Sequence, residues 1–192
     1  ARQAVVLFAY DDAIQNLRSA LKLIEEGKQT ETHMILLEEL GDVYRLLRDI
    51  GQAIAIYHDS LHLWETLPEA DKIIAVRLHR KIVQLATEAK WNVDLDTYHH
   101  VRDLTLASLN ELESSLSELR HEPDAEVVRA LATLSFEAWR SRVPPDWERA
   151  QRFAQSAADM AEELAEPVVL SRALGALCNV LDGRSLLRDH LQ

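Results

Sequence analysis

Residues 37–61 read LEELGDVYRLLRDIGQAIAIYHDSL. Apolar and small residues recur every three or four positions on both sides of Arg48-Asp49-Ile50-Gly51, which predicts two helices joined by a tight turn. Gly41 lets the two helices approach closely, Tyr44 fills the gap beside it, and Ala53 is the small residue on the second helix. Tyr57 is then expected to pack into the neighbouring hairpin.

The same punctuation extends along the whole chain. Gly27, Pro68, Pro123 and Pro167 each close a long helical stretch, because Pro cannot donate to a helix and restricts the residue before it. Shorter breaks fall between them, at Arg48 to Gly51, Asn92 to Thr97, Val143 to Asp146 and Asp182-Gly183. Major and minor breaks alternate, as they do in helix hairpins laid end to end, and they divide the chain into about nine helices. No run of period-2 alternation is long enough to propose a strand. Composition agrees: of 192 residues 47% are hydrophobic, with only five Gly and five Pro.

The first-helix pattern recurs in degraded form as Leu134-Ser135 with Ala138, and as Leu174-Gly175 with Cys178 in place of Tyr44. The second-helix positions Ile50, Ala53, Tyr57 and Ser60 are matched by Tyr10, Ala13, Leu17 and Ala20, and again by Trp147, Ala150, Ala154 and Ala157. The middle unit takes its first helix from Arg80 to Ala86. On these residues the chain resembles the tetratricopeptide repeat. Its units run to about 45 residues, longer than the usual period of about 34 and overlapping the HEAT range. The expected fold is therefore an all-α, right-handed, tetratricopeptide-like α-solenoid, with HEAT-like as second choice, and with Gly41 and Gly175 both at close helix crossings. The array is read as one domain with units 1–33 (partial), 34–70, 71–122, 123–166 and 167–192 (truncated), and as a piece of a longer protein.

The wording LFAYDDAIQNLRSAL and the long units resemble the helical repeat regions of large bacterial signalling ATPases of the STAND class. In those proteins such arrays accompany a nucleotide-switch domain and often a nucleotide cyclase or a DNA-binding output domain. That resemblance implies an interaction or sensing scaffold, and carries over no catalytic residue. The neighbouring domains of the same polypeptide would be among its partners.

Charge and cysteine usage narrow the partners further. Asp plus Glu is 32 against 21 Lys plus Arg, a net charge of −11, which argues against nucleic acid and an anionic membrane. The single Cys178 excludes a disulfide framework and suits a reducing, cytoplasmic setting; it is expected to be a buried small hydrophobe among Leu174, Gly175, Leu177 and Leu181. The longest apolar run, Ala4 to Tyr10, is too short to cross a bilayer, and no signal-peptide pattern is present.

Motifs that could carry chemistry are weak. Gly27-Lys28-Gln29-Thr30 lacks the upstream Gly and strand of a phosphate loop, since Lys22 occupies the Gly position. His58 and His62 stand four apart on one helix, but without the Glu of a metalloprotease helix, and His79, His99 and His100 cannot be placed against them. The acidic pairs Glu25-Glu26, Glu38-Glu39 and Glu162-Glu163 read as solvated helix faces. No catalytic residue, metal or cofactor is expected.

The first helices also carry a stripe expected to line the concave face. It comprises Ile35, Glu38, Asp42 and Arg45; then Arg77, Arg80, Gln84 and Thr87; then Arg129, Ala132, Phe136 and Trp139, with Arg140 adjacent; then Val169, Arg172, Ala176 and Asn179. Arginine recurs there within an acidic chain, which fits docking of a protein or an acidic peptide, with Phe136 and Trp139 as aromatic anchors. Glu38 and Asp42 at clamp-like positions speak against the carboxylate clamp of chaperone-binding repeats. Two alternatives stay open: an oligomerisation segment pairing apolar solenoid ends as a homo-oligomer, and a regulatory fragment of an enzyme that takes a small ligand or metal.

Overall fold

A computed structural model of the chain describes residues 2–25, 31–67, 69–89, 95–119, 123–140 and 144–190. They form eight α-helices: α1 (Arg2–Glu25), α2 (Glu31–Leu46), α3 (Ile50–Glu65), α4 (Lys72–Ala89), α5 (Leu95–Leu119), α6 (Ala125–Arg140), α7 (Trp147–Leu164) and α8 (Pro167–His190). The fold is all-α, with no strand among the described residues, and no helix there is long and apolar enough to cross a membrane.

Aspartate starts four of these helices. Asp49 Oδ1 accepts from the Gln52 amide, Asp71 from Ile73, Asp124 from Glu126 and Val127, and Asp146 from Arg149. Each carboxylate satisfies amides that a helix N-terminus leaves without internal partners. Pro167 opens α8, where the missing N–H costs nothing. Two non-glycine residues take left-handed conformations at helix ends, Arg48 (φ 61°) before α3 and Ala165 (φ 54°) after α7.

The chain divides into two compact units within α5, after Ala107. In the first, α2 packs against α1 and α3, and α3 against α4. Its core joins Met34, Leu40, Ile54, Tyr57, Leu61, Leu78, Ile82 and Leu85, with Val101 from the first half of α5. In the second, α6, α7 and α8 pack on one another. Here α7 contributes a face of small residues, Ala150, Ala154, Ala157, Ala158 and Ala161, all buried at three- and four-residue spacing.

Several expectations are corrected. The described helices number eight because Asp182-Gly183 does not break α8. Gly183 lies inside the helix, where a Cβ would come within 3.0 Å of Trp147 Cη2. That glycine therefore serves close packing on α7 and not a turn. Gly41 does mark a close crossing: a Cβ there would collide with the Tyr57 ring, 2.7 Å from Cδ1. Gly175 does not, since a Cβ there would meet nothing within 4 Å. Tyr57 thus fills the gap beside Gly41 in its own hairpin, while Tyr44 turns to α1 and accepts a hydrogen bond from Arg18 at 2.7 Å.

Cys178 is exposed and not buried. The buried face of α8 is Val169, Ala173 and Val180, and Leu174 and Leu181 point outward. Apolar residues surround this helix on all sides, so periodicity could not select the face that meets the alanine surface of α7.

Candidate interaction surfaces in each unit

In the first unit, two opposite-charge pairs from facing helices close on one another. Glu38 and Asp42 lie one turn apart on α2; Arg77 and Lys81 lie one turn apart on α4. Arg77 Nε and Nη2 each donate to Glu38 at 2.7 Å, a forked contact with both carboxylate oxygens. Lys81 Nζ reaches Glu38 Oε1 at 2.7 Å and Asp42 Oδ2 at 2.6 Å. The Tyr57 hydroxyl donates to the other Asp42 oxygen at 2.6 Å, and Lys81 stands over the Tyr57 ring at 5.6 Å. Glu38 is therefore buried, in contrast to the solvated face expected of Glu38-Glu39, while Glu39 is exposed.

Burial works to raise the Glu38 carboxyl, but the hydrogen bonds and charges of Arg77 and Lys81 outweigh it and hold its pKa below the ordinary carboxylate value. Burial raises the Tyr57 hydroxyl, and its hydrogen bond to Asp42 adds to the effect. The network neutralises itself: two cations face two carboxylates. Chemically it is a strut between α2 and α4.

The other stripe residues of this unit separate. Arg80 is buried, against its expected place on the concave face, and donates to Gln84 at 2.9 Å within α4. Ile35 is exposed. The Thr87 side chain and the Gly27 to Thr30 segment lie outside the described residues. His79 on α4 is pushed down to about 4 by burial, with the nearby His58 of α3 adding to this and Glu65 opposing it. His62 lies exposed beside Glu65 at 3.5 Å. Among the described residues no three His, Cys, Asp or Glu side chains are grouped to hold a metal ion.

In the second unit, α6 and the start of α7 gather aromatic residues. Phe136 meets Trp139 edge-on with centroids 5.5 Å apart, and Trp139 stacks on Trp147 at 5.7 Å. Trp139 and Trp147 pack against buried Ala138, Ala150, Ala154 and Val180. The exposed Arg140 guanidinium lies over the Phe136 ring at 4.9 Å, and pairs with no carboxylate among the described residues. Arg129 is paired with Glu126 at 3.2 Å within α6. Ala132 and Val169 are buried; Arg172 and Asn179 are exposed on α8.

Sequence reasoning missed Lys81, saw Trp147 only as a repeat packing position and read Gly183 as part of a break. Lys81 was legible, being four residues from Arg77 just as Asp42 is four from Glu38. It also missed a cleft of about 500 Å³ lined by Glu113, Arg152, Phe153, Gln155 and Ser156, where Arg149 engages Glu113. No protein-family model matches the chain, and a search of curated proteins returns no match.

Proposed function

We propose that the chain is a non-enzymatic interaction scaffold, a tetratricopeptide-like solenoid of the kind that serves a larger cytoplasmic signalling protein, and that it docks an acidic peptide or protein segment. The observation that carries this reading is the Phe136–Trp139–Arg140 surface. An exposed guanidinium seated on an aromatic ring offers a carboxylate its forked donors beside apolar surface for a neighbouring side chain. The repeated hairpin supports the scaffold half of the reading. Ile50, Ala53, Tyr57 and Ser60 on α3 are buried, as are Ala150, Ala154 and Ala157 at the matching positions of α7. Arg77 and Arg80 serve the fold and not the partner, because Glu38 and Gln84 engage them.

The test is a titration of the chain with a fluorescent peptide rich in Asp, Glu and Phe. Binding should weaken with added salt over a Debye length of about 8 Å, and Arg140→Glu should lower affinity at least about tenfold with an unchanged circular dichroism spectrum. An affinity indifferent to Arg140→Glu sinks the proposal. A thermal shift with Zn²⁺ or ATP in its place would favour the regulatory-fragment alternative.

A further inference from the structure

Along α7, Arg149, Arg152, Phe153 and Ser156 recur at three- and four-residue spacing and form one stripe beside the alanine face. At the edge of that stripe Arg149 engages Glu113 of α5 and lies over the Phe153 ring at 5.7 Å. Beside this contact the second half of α5 and α7 leave the cleft of about 500 Å³, a size within the range of small-molecule sites. Both of its walls belong to the second unit. Phe153 is buried in the cleft wall, and Arg152 and Ser156 are exposed along its rim.

The rim donors are uncommitted. Arg152 makes no hydrogen bond or ion pair among the described residues, not even with Glu148 one turn earlier on α7. The Thr133 hydroxyl on α6 bonds back to the Arg129 carbonyl at 2.9 Å, whereas Ser156 makes no hydrogen bond among the described residues. Charge then selects the ligand. Two guanidiniums, Arg149 and Arg152, stand against one carboxylate, Glu113, so the cleft and its edge carry one surplus positive charge in a chain of net charge −11. Asp159, held by the Gln155 amide at 2.7 Å, lies one turn beyond Ser156. A dianion would meet Asp159 with no second free cation to balance it; a monoanion matches the surplus.

We infer that this cleft binds a small organic monocarboxylate. The two carboxylate oxygens take the forked donors of Arg152, and the Ser156 hydroxyl donates to one of them. The hydrocarbon body of the ligand lies against Phe153 and the stem of Arg149. Arg149 itself stays with Glu113 and fixes the width of the cleft. This site lies between α5 and α7, and it does not depend on the peptide-docking proposal for α6.

The probe is phenylacetate, titrated to about 10 mM into the isotope-labelled whole chain and followed by amide shifts in nuclear magnetic resonance. Benzyl alcohol and phenyl phosphate serve as the neutral and dianionic comparisons. Phenylacetate should shift the amides from Arg152 to Ser156 saturably, with a dissociation constant of about 1 mM. The two comparison compounds should bind at least about tenfold more weakly. Arg152→Gln should weaken phenylacetate binding about tenfold and Ser156→Ala about threefold. Both side chains are exposed, so each variant should keep its circular dichroism spectrum. Arg140→Glu should leave the titration unchanged, which separates this site from the docking surface on α6. No saturable shift at the highest concentration overturns the inference. So does an affinity indifferent to Arg152→Gln, or equal binding of benzyl alcohol or phenyl phosphate.

Discussion

The Tyr57 ring covers the place where a Cβ of Gly41 would stand, and its hydroxyl is held by Asp42 at 2.6 Å. A ring pinned at its far end cannot swing away from a methyl group. Gly41→Ala is therefore expected to destabilise the fold by about 1–3 kcal/mol, the cost of overpacking, although Ala is the better helix former by about 1 kcal/mol. Gly175→Ala sits in open space on an exposed helix face, and should stabilise by about 0.5–1 kcal/mol. Urea midpoints measured at low micromolar concentration check both, and matching signs for the two substitutions would refute the distinction drawn between these glycines. The Leu-Gly pair reads identically at both sites, so the difference was not legible in the motif. It depends on what the neighbouring helix brings, a tyrosine in one case and no side chain in the other.

Between elements, α3 and α4 enclose a histidine that folding keeps neutral. His79 lies half-buried with Nδ1 lacking a hydrogen-bond partner among the described residues, and its pKa falls from 6.5 to about 4. The unfolded chain takes up that proton first as the pH falls, so stability is lost from about pH 6.5 down to about pH 4. The loss amounts to about 3 kcal/mol for a shift of this size. Glu38 adds to it at lower pH, because a carboxylate held below its ordinary value stabilises the fold until the pH drops through its folded-state pKa. Urea unfolding at pH 7 and pH 4.5 should show a smaller acid loss in His79→Leu than in the unsubstituted chain; equal losses would contradict the assignment. Element boundaries were legible where aspartates begin helices, at Asp49, Asp124 and Asp146. The orientation of α8 was not, because a helix apolar on every side gives no preferred face until α7 supplies its alanines. The candidate site divides in the same way. Arginine types and positions could be read, but which of them already had carboxylate partners depended on the α2–α4 pairing.

At the scale of the whole molecule, the hairpin is the repeating object, and its packing positions recur in α2–α3 and α6–α7 with the same buried small residues. We propose that such hairpins extend in an open array, presenting surface for partners instead of closing on a single core. Small-angle X-ray scattering at low concentration tests it most directly. A closed globule of this length has a radius of gyration of about 16 Å. An open solenoid predicts a larger value, with a pair-distance distribution skewed to long distances. A radius near the globular value with a symmetric distribution would mean that the helices close into a bundle, and would contradict the account.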